Sequence, residues 1–582
     1  MSPLARLAAA CLISLPLAVN AGESVVGLDF PGSNVVTLGL GEAIQMALTN
    51  NLEVEFDKVT VDVEQARTRF ATGVFDPVFR LEIARDSIQR PDITSNLTTA
   101  ESLLQQAQIL AIEQNTRAIQ LASGQPVTEF SSLPDGRIVV FDQDTDRFES
   151  SLSFLTPLGT QLAFVARESK IRTTFDGDPR TITPFYQAFG GVEVRQPLLK
   201  GFGPDATLLE VRSSRVNERV AALTWEKTLS DAIGQVISTY IDMVFAESDM
   251  RTKMEAIEAD QKLAQQNQRR LELGFMSPID VQQARAQVSL DEEQLIQSKN
   301  LFMERQLALR RLITKESSSG EPAVFMPVKM PALAAPESKR DNLLVTAFRK
   351  RPDYNAAVTD AEKQDLRLKY AKNQRWPSLD LVGSFGYNGL AGHWESARDA
   401  AQSSQAPQWS FGVQFSMPLG GVQPRAQLDV VRGLRQQALL RIKQTELTVT
   451  VDVDTALSRI EMSRQRLETA RNTRDLNEEA VRIAYRRLEE GQLSSFDLIE
   501  QQRKLYDAKS RELAARAELD RAIVALWAAT GTVLDHTGVN IVRPNRRGEL
   551  PKATKVSAEL DSKAIKPPSV KQKPKTPVGK KQ

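Results

Sequence analysis

Cysteine and histidine are almost absent from the 582 residues of this chain. It contains one cysteine, Cys11, and two histidines, His393 and His536. Neither histidine has a partner at a spacing that metal-ligand motifs use, and no nucleophile–base set or phosphate-binding loop accompanies them. We therefore predict no metal site, no cofactor and no enzymatic activity.

A surplus of charge of either sign is also absent. The formal net charge is +1, so the composition gives no reason to expect a nucleic-acid partner. The acidic and basic residues are interspersed through runs rich in glutamine and alanine. This pattern is typical of long helices with solvated surfaces.

Long hydrophobic runs are missing beyond the N-terminus, which reads "MSPLARLAAACLISLPLAVNAGES". One arginine, an apolar run and a small-residue cleavage site predict a signal peptide over residues 1–21, followed by an N-terminal extension over 22–35. The apolar run is shorter than the ~20 residues of a transmembrane helix. A lipoprotein anchor at Cys11 is a disfavoured alternative, because cleavage would fall within the apolar run. Any part of the chain that spans a membrane would have to consist of strands.

What the chain does contain is an internal duplication. The segment "RRLELGFMSPID" (269–280) shares seven of its twelve residues with "RRLEEGQLSSFD" (486–497). Other segments align in the same order, with Pro77 falling on Pro377, so the match is a repeat of whole units. The predicted units are a first repeat over 36–314 with an insertion at 86–184, a linker over 315–340 and a second repeat over 341–531.

Each repeat reads as helix, strand, loop, strand, very long helix, break and helix. In the second copy, apolar and polar residues alternate over 378–388 and 409–417, as in strands with one apolar and one polar face. The length, the aromatic ends and the Gly/Ser-rich polar face favour a membrane β-barrel over the alternative of a soluble sheet. The aromatic residues predicted on the apolar face are Phe385, Tyr387, Trp409, Phe411 and Phe415.

The segment from Pro424 to Glu490 predicts one very long helix. No cluster of turn residues interrupts it, and at ~1.5 Å per residue it would be ~100 Å long, as in a coiled coil or bundle. Two pairs of shorter predicted helices match this length when placed end to end, and we expect each pair to stack along a long helix. The pairs are 277–314 with 341–375, and 40–72 with 494–530.

Both helix breaks have the residues of a tight helical hairpin. Gly274 and Gly491 suit the left-handed conformation that ends a helix. Ser277 and Ser494 are predicted N-caps, each followed by an aspartate three residues later. Helix geometry alone accounts for these residues.

A functional interpretation concerns the acidic residues after each break. Glu500 lies one turn after Asp497 on the same helix face. If that face lines a pore in an oligomer, the copies form a ring of carboxylates, which favours cations. The first copy has Asp280 and Gln283 at the equivalent positions, so it would contribute less to such a constriction. The structural alternative stays open, because acids at a helix N-terminus also stabilise the helix dipole.

Four segments carry a family resemblance. With the duplication, they resemble the TolC-type outer-membrane efflux and secretion channels over nearly all of residues 35–531. The resemblance implies a mainly α-helical trimer, in which four strands per chain build one twelve-stranded barrel and the long helices continue it as a periplasmic tunnel. The segments are "LGLGEAIQMALTNNLEV" (38–54), "VRQPLLKGFG" (194–203), "RLELGFMSPIDVQQARAQ" (270–287) and "YRRLEEGQLSSFDLIEQQRKLYDAKSREL" (485–513).

The resemblance also implies that the helix breaks form a periplasmic tip. The tip would narrow the tunnel and contact an adaptor protein. By position, Asp280, Asp497 and Glu500 match the acidic tip sites of that family. The residues expected to contact the adaptor come from both breaks: Arg270, Gly274, Ser277, Arg487, Gly491 and Ser494.

The implied function is a passive exit duct in the outer membrane with a large periplasmic part. It would connect an inner-membrane pump of the RND, ABC or MFS type, through a periplasmic adaptor (membrane fusion protein), to the exterior, for efflux or type I secretion. Its other partners would be two further copies and outer-membrane lipid. The alternative is a soluble periplasmic coiled-coil adaptor or structural protein without a pore. The sequence identifies neither the exported substrate nor the class of pump.

Three features fall outside the family pattern. Leu488 and Leu493 stand where some relatives have polar or aromatic groups that help to hold the tip closed, which leaves the closing contact open. The insertion contains a possible helix at 100–114 and a hairpin at 150–168, which we expect to pack outside the barrel rather than to add strands. Residues 532–582 form a basic Pro- and Lys-rich tail that we predict to be disordered, either solvated or bound to an anionic surface.

Overall fold

The described part of the chain excludes both termini. The computed structural model describes residues 35–92, 139–175, 182–315, 324–328, 333–334, 339–542 and 552–554, and six positions between 108 and 115. The predicted signal peptide and nearly all of the N-terminal extension lie outside the described residues. Most of the basic tail and most of the candidate helix at 100–114 lie outside them as well, and the few described positions of that helix are helical.

The chain is mainly α-helical and carries the same helices twice. The first repeat contains α1 (Leu40–Asn50), α2 (Leu52–Thr72), α3 (Pro204–Thr207), α4 (Leu209–Glu272) and α5 (Pro278–Ile313). The second repeat contains α6 (Arg340–Lys350), α7 (Pro352–Gln374), α8 (Trp394–Gln402), α9 (Val422–Glu489) and α10 (Ser495–Thr530), and α11 (Val533–Thr537) follows. At ~1.5 Å per residue α4 and α9 are each roughly 100 Å long. Within the described ranges, none of the helices is apolar enough over a sufficient length to cross a lipid bilayer.

Two of the predicted helices, 40–72 and 341–375, are each broken in two. Between α1 and α2, the Asn51 side chain accepts hydrogen bonds from the second and third N–H groups of α2 at 3.0 and 3.2 Å, which caps the new helix. Between α6 and α7, Arg351 is extended and Pro352 occupies the first position of α7, where proline is favoured. The duplication thus includes this second break, which the single-helix predictions missed.

The short helices stack within each repeat, which corrects the predicted pairing between repeats. The side-chain amide of Asn50 donates to the carbonyl of Ile313 at 2.9 Å, so α5 ends where α2 begins. The guanidinium of Arg351 donates to the carbonyl of Ala529 at 3.3 Å, so α10 ends where α7 begins. Helix α4 is therefore covered by α5 and α2, and α9 by α10 and α7. Consecutive elements pack as neighbours, and the helix lengths suit either pairing.

The main hydrophobic core lies where the short helices meet end to end. It unites buried residues of α1, α4, α5, α9 and α10, with Phe302 among the largest. Two short strands, β1 (Val35–Leu38) and β6 (Val324–Pro327), pair in parallel beside it. The hydroxyl of Tyr240 lies 2.9 Å from the carbonyl oxygens of Leu38 and Val328, so α4 is fixed to both strands at this level.

The ordered chain continues past residue 532, where the disordered tail was predicted to begin. Helix α11 starts at Val533, and both Val533 and Val539 are buried in the main core. Strand β9 (Asn540–Val542) then pairs with β10 (Lys552–Thr554). The predicted boundary is therefore wrong, because apolar residues after Gly531 complete the core.

The sheet contains six antiparallel strands in the order β2-β3-β4-β5-β7-β8. The hairpin predicted at 150–168 forms β3 and β4, which lie between β2 and β5. The prediction that it packs outside the strands is wrong, and the four strands implied by the resemblance are six. Most of its apolar and polar residues alternate in phase with those of its neighbours. The strands are β2 (Val78–Asp92), β3 (Val139–Leu155), β4 (Gln161–Phe175), β5 (Ile182–Pro197), β7 (Ser378–Ala391) and β8 (Pro407–Ser416).

The left-handed turn at Gly531 provides a test of the stacking of α10 on α7. Gly531 has φ of 67°, and a Cβ there would lie 3.0 Å from the backbone nitrogen of Arg351. A positive φ costs a non-glycine residue about 1–2 kcal/mol. We therefore expect Gly531→Ala to lower the free energy of unfolding by at least that amount, which a lower midpoint of thermal unfolding would report. The matched control is Gly433→Ala inside α9, at the twelfth residue of that helix, where a Cβ would meet nothing within 4 Å. It should be neutral or stabilising by up to about 1 kcal/mol. Equal midpoints for the two variants would contradict the described junction.

Candidate functional site at the helix hairpins

The first helix hairpin joins α4 to α5 through residues 273–277. Gly274 has φ of 79°, and the turn after it closes with a backbone hydrogen bond of 2.8 Å to the carbonyl of Arg270. The N–H of Ser277 donates to the carboxylate of Asp280 at 3.3 Å. The predicted glycine turn and capping box are therefore present.

The second hairpin repeats this arrangement over residues 490–494. Gly491 has φ of 71°, and the turn closes on the carbonyl of Arg487 at 2.8 Å. The hydroxyl of Ser494 accepts a hydrogen bond from the N–H of Asp497 at 3.1 Å and donates to its carboxylate at 2.7 Å. Both hairpins have connections of equal length, although only the first has a proline at the helix start.

The predicted constriction residues all take part in local structure. Asp280 and Asp497 occupy the third positions of α5 and α10, where each supports the cap. Glu500, one turn further along α10, lies 2.7 Å from the guanidinium of Arg503. Gln283 is half-buried on the first hairpin. Their contribution to a pore stays a prediction.

A small hydrophobic cluster holds the two hairpins together. Leu488 is buried in it and Leu493 packs against it, so the two leucines outside the family pattern are packing residues. Beside the cluster, the buried amide of Asn267 donates to the hydroxyl of Ser495 at 2.6 Å, which joins the end of α4 to the start of α10. Contact between the hairpins of one chain is thus mainly apolar. The buried members of the cluster are Leu263, Ala284, Ala484, Leu488, Leu498 and Ile499.

Two buried aspartates face each other about 20 Å from the hairpin turns. They are Asp260 on α4 and Asp291 on α5, and they hydrogen-bond to each other. Burial, together with the hydrogen bond to Asp291 and repulsion from its charge, raises the pKa of Asp260 to about 8. Asp260 is therefore mostly protonated at neutral pH.

Polar side chains of α9 and α10 cover this aspartate pair. The amide of Gln502 donates to the hydroxyl of Tyr485 at 2.6 Å, and the hydroxyl of Tyr506 donates to the carbonyl of Glu255 at 3.4 Å. Burial, followed by the neighbouring acidic groups, raises the pKa of Tyr506 to about 12. Sequence analysis missed this cluster, because an aspartate on a polar helix gives no sign of being buried.

Comparison with known families identifies the second repeat. Residues 343–532 match the family model described as outer membrane efflux protein. This part of the chain is an outer membrane efflux protein domain. The predicted resemblance to the TolC-type outer-membrane channels is confirmed.

Curated relatives of this efflux domain match about half of the chain. Nodulation protein T of Rhizobium leguminosarum bv. trifolii is 22% identical over 309 residues, which are 52% of this chain and 62% of that protein. The pyoverdine export outer membrane protein OpmQ of Pseudomonas putida is 22% identical over 334 residues, which are 56% of this chain and 66% of that protein. In both matches the chain spans less than two thirds of the relative's length.

Solved channel structures share the fold over most of the chain. The outer-membrane channel OprN superposes with a TM-score of 0.58 at 16% identity, over 85% of this chain and 90% of that one. The Campylobacter jejuni outer membrane channel CmeC gives a TM-score of 0.55 at 14% identity, over 87% and 90%. The family and these structures are channels and not enzymes, in agreement with the lack of a catalytic motif. Among the described residues, no group of three or more acidic, histidine or cysteine side chains could hold a metal ion.

The proton held by Asp260 predicts how the stability of this chain depends on pH. An ordinary aspartate has a pKa of 3.8 and folded Asp260 has one of about 8, so the folded chain keeps a proton that the unfolded chain loses. The contribution of this group to the free energy of unfolding is complete below about pH 4 and is lost as the pH rises to about 8. In Asp260→Asn the amide can still donate a hydrogen bond to Asp291. Because the amide does not titrate, the variant does not lose this stability as the pH rises. We expect its thermal midpoint, relative to wild type, to be several degrees higher at pH 8.5 than at pH 5.

The control for this titration is Glu258→Gln, two residues earlier on the exposed side of α4. Its carboxylate is fully accessible and paired with Lys262, so its midpoint relative to wild type should change little between the two pH values. If Asp260→Asn follows the wild-type midpoint across this pH range, the pKa of Asp260 is not raised in the folded chain.

Proposed function

We propose that this protein is a passive exit duct of the outer membrane, which connects a periplasmic adaptor and an inner-membrane pump to the exterior. The observation that carries the proposal is the combination of two long helical hairpins with one antiparallel sheet in each chain. The solved outer-membrane channels OprN and CmeC share this fold over 85% and 87% of the chain. The matching family model and the relative OpmQ are both described as outer-membrane proteins, which supports an outer-membrane location.

The two faces of the sheet suit a wall between lipid and water. The predicted aromatic residues all lie on one face, where Phe385 is the register partner of Trp409 and contacts Tyr387 edge-on at 5.4 Å between ring centroids. The opposite face is polar, and there the hydroxyls of Ser384 and Ser410 lie 2.8 Å apart. Membrane barrels have this arrangement, with apolar residues toward lipid and polar residues toward the lumen.

An exposed apolar stripe on α9 supports assembly with a second copy. Between Val430 and Leu476, seven exposed apolar residues fall on the first, fourth and fifth positions of the heptad when residues are counted in sevens from Val430, and Leu439 falls outside these positions. Such positions form one seam along a helix, on the side away from the chain's own core. The residues are Val430, Leu434, Leu440, Leu447, Val451, Met462 and Leu476.

A second exposed seam runs along the stacked helices of the first repeat. On α2 its residues are spaced by three, four or seven, and on α5 by seven and four. Helices α5 and α2 together are about as long as α9, so the seam of one copy can cover the α9 seam of the next. Different surfaces then meet at each contact, and such contacts form a ring when the rotation between copies closes. The residues are Leu52, Phe56, Val59, Val63 and Phe70 on α2, and Ile296, Met303 and Leu307 on α5.

The ring in this proposal has three copies, as the family resemblance implies, and its helices enclose a tunnel in the periplasm. The six hairpins end together at the tip, where they contact the adaptor and narrow the tunnel. Asp497 and Glu500 would form the main acidic ring, and Asp280 with Gln283 the weaker one. Opening would require the hairpins to move apart. The transported substrate is not assigned, since pyoverdine belongs to the name of one relative only.

Substitution in the α9 seam tests the ring. We expect the wild-type protein in detergent to have the mass of three chains by light scattering. Leu447→Glu places a charge in the seam and should yield single chains. Gln436→Glu is the matched control, since it adds the same charge at an exposed position of α9 outside the seam, and it should remain trimeric. A wild-type protein with the mass of one chain would exclude the proposed duct.

The acidic ring predicts a preference for cations that depends on the tip. In planar bilayers with a KCl gradient, we expect the double substitution Asp497→Asn with Glu500→Gln to shift the reversal potential toward zero, because two carboxylates per chain are lost. The control is Glu395→Gln with Asp399→Asn on α8, which removes the same charge near the strand end of the molecule. If the two double variants change the reversal potential equally, the constriction does not lie at these residues.

A further inference from the structure

We infer that three copies of this chain close a barrel of eighteen strands, six from each chain, in which β3 and β4 form part of the wall. The inference rests on the proposed trimeric duct and concerns the mouth of that duct. It replaces the twelve strands implied by the family resemblance. Since barrel diameter grows roughly linearly with strand number, the barrel would be about 1.5 times as wide as one of twelve strands, with about twice its cross-section.

The inserted hairpin is bonded to the sheet along its whole length. Strand β3 pairs with β2 from Leu152 opposite Phe79 to Val139 opposite Asp92, and β4 pairs with β5 over a similar span. At its turn, the N–H of Gly203, before α3, donates to the carbonyl of Leu158 at 3.1 Å. The turn is thereby fixed to the junction between sheet and helices.

Most residues of the inserted strands near the helices continue the apolar face of the sheet, although Ser150 and Glu168 also lie on this face. Residues of β3 and β4 on this face are register partners of apolar residues on β2 and β5. A hairpin lying on the outside of a four-stranded wall would leave its neighbours' apolar faces covered and out of contact with lipid. The apolar residues on this face are Phe79, Leu81 and Ile83 of β2, Phe148, Leu152 and Phe154 of β3, Leu162 and Phe164 of β4, and Val192 and Val194 of β5.

The opposite face carries a ladder of ion pairs that runs through the inserted strands. Four pairs link five consecutive strands, so each inserted strand is joined to the neighbours on both sides. This many charged side chains are tolerated on the water-filled side of a barrel, whereas charged side chains that face lipid destabilise it. The pairs are Asp86 with Arg147, Glu149 with Arg167, Arg167 with Glu193, and Arg195 with Asp380.

Helix α8 links the middle of the inserted strand β4 to the second repeat. The guanidinium of Arg398 donates to both carboxylate oxygens of Glu168 on β4, at 2.5 and 2.8 Å. Beside this pair, the rings of Tyr186 on β5 and Trp394 on α8 have centroids 4.8 Å apart. The inserted strand is therefore in contact with an element that belongs to the strand pair of the other repeat.

The strand count also permits closure. In the sheet of the described residues, β2 and β8 are the two edges. Because six antiparallel strands alternate in direction, β8 runs opposite to β2, so β8 of one copy can pair antiparallel with β2 of the next. Three such contacts leave no free edge, which is the condition for a sheet in a membrane.

Pairs of cysteines test whether the inserted hairpin belongs to the wall. The only native cysteine, Cys11, lies in the predicted signal peptide, so introduced thiols can be read without background. Leu81 of β2 faces Ser150 of β3 directly, whereas Gly190 of β5 lies on the same rung three strands away. A Cβ at Gly190 would meet nothing within 4 Å. Neighbouring strands are about 4.8 Å apart and strands three apart about 14 Å, so a short bifunctional thiol reagent can distinguish them.

We expect Leu81→Cys with Ser150→Cys to cross-link within one chain. The pair Leu81→Cys with Gly190→Cys should remain unlinked. Mass spectrometry of the full-length protein, cross-linked in membranes, would map the products. Cross-linking of the second pair would place β2 beside β5 and overturn the inference. Leu81→Cys combined in turn with Phe411→Cys, Val413→Cys and Phe415→Cys tests closure. One of these pairs should link chains into covalent trimers on a denaturing gel.

Failure of the inference and failure of the proposed duct give different results. A trimeric mass in detergent without chain-to-chain products at any of the three β8 positions would overturn the closure by β2 and β8 and leave the duct standing. A single-chain mass would exclude the duct and with it the eighteen-stranded barrel. In either case the two intrachain pairs report on the position of the hairpin, since they do not depend on a second copy.

Discussion

A helix of about 100 Å cannot keep its apolar stripe in water, and the need to cover it determines the remaining architecture. Helices α4 and α9 each require two shorter helices in line, so a junction between the short helices must occur beside each long one. At each junction one short helix ends where another begins, and the free carbonyls of the ending helix need donors. Asn50 and Arg351 supply donors at corresponding places in the two repeats, and the main core forms around them. The hairpins and the sheet then lie at opposite ends of the long helices.

Much of this fold could be predicted because its signals are local. The duplication, the uninterrupted helix before Glu490, the strand alternation and the Gly–Ser–Asp pattern of the breaks each depend on neighbours in the sequence. The stacking of short helices could not be predicted from length, since pairing within a repeat or between repeats gives nearly the same sum. The strand count was missed for a related reason. The alternation at 150–168 shows that a strand has two faces and does not show which strand it pairs with.

At the candidate site, the sequence identified the caps and the structure added what lies behind them. The residues that first attract notice, Gly274, Ser277 and Asp280, are accounted for by helix ends. The two leucines outside the family pattern belong to a packed cluster, so the hairpins of one chain adhere through apolar contact. The aspartate pair of α4 and α5 was not predictable, because burial of a carboxyl depends on what α9 and α10 place over it. The proton held by Asp260 makes the packing of these four helices sensitive to pH.

The exposed seams on α2, α5 and α9 bear on how the molecule is made. A single folded chain presents two apolar helix surfaces and two open strand edges at once, all of them complementary to another copy. Such a species is prone to faulty association while it waits for partners. Formation of the helical ring and insertion of the strands into lipid should therefore be coupled events. The rate of maturation would then depend on the concentration of newly exported chains, and damage to one helix seam would leave the strands of an otherwise sound chain outside the membrane.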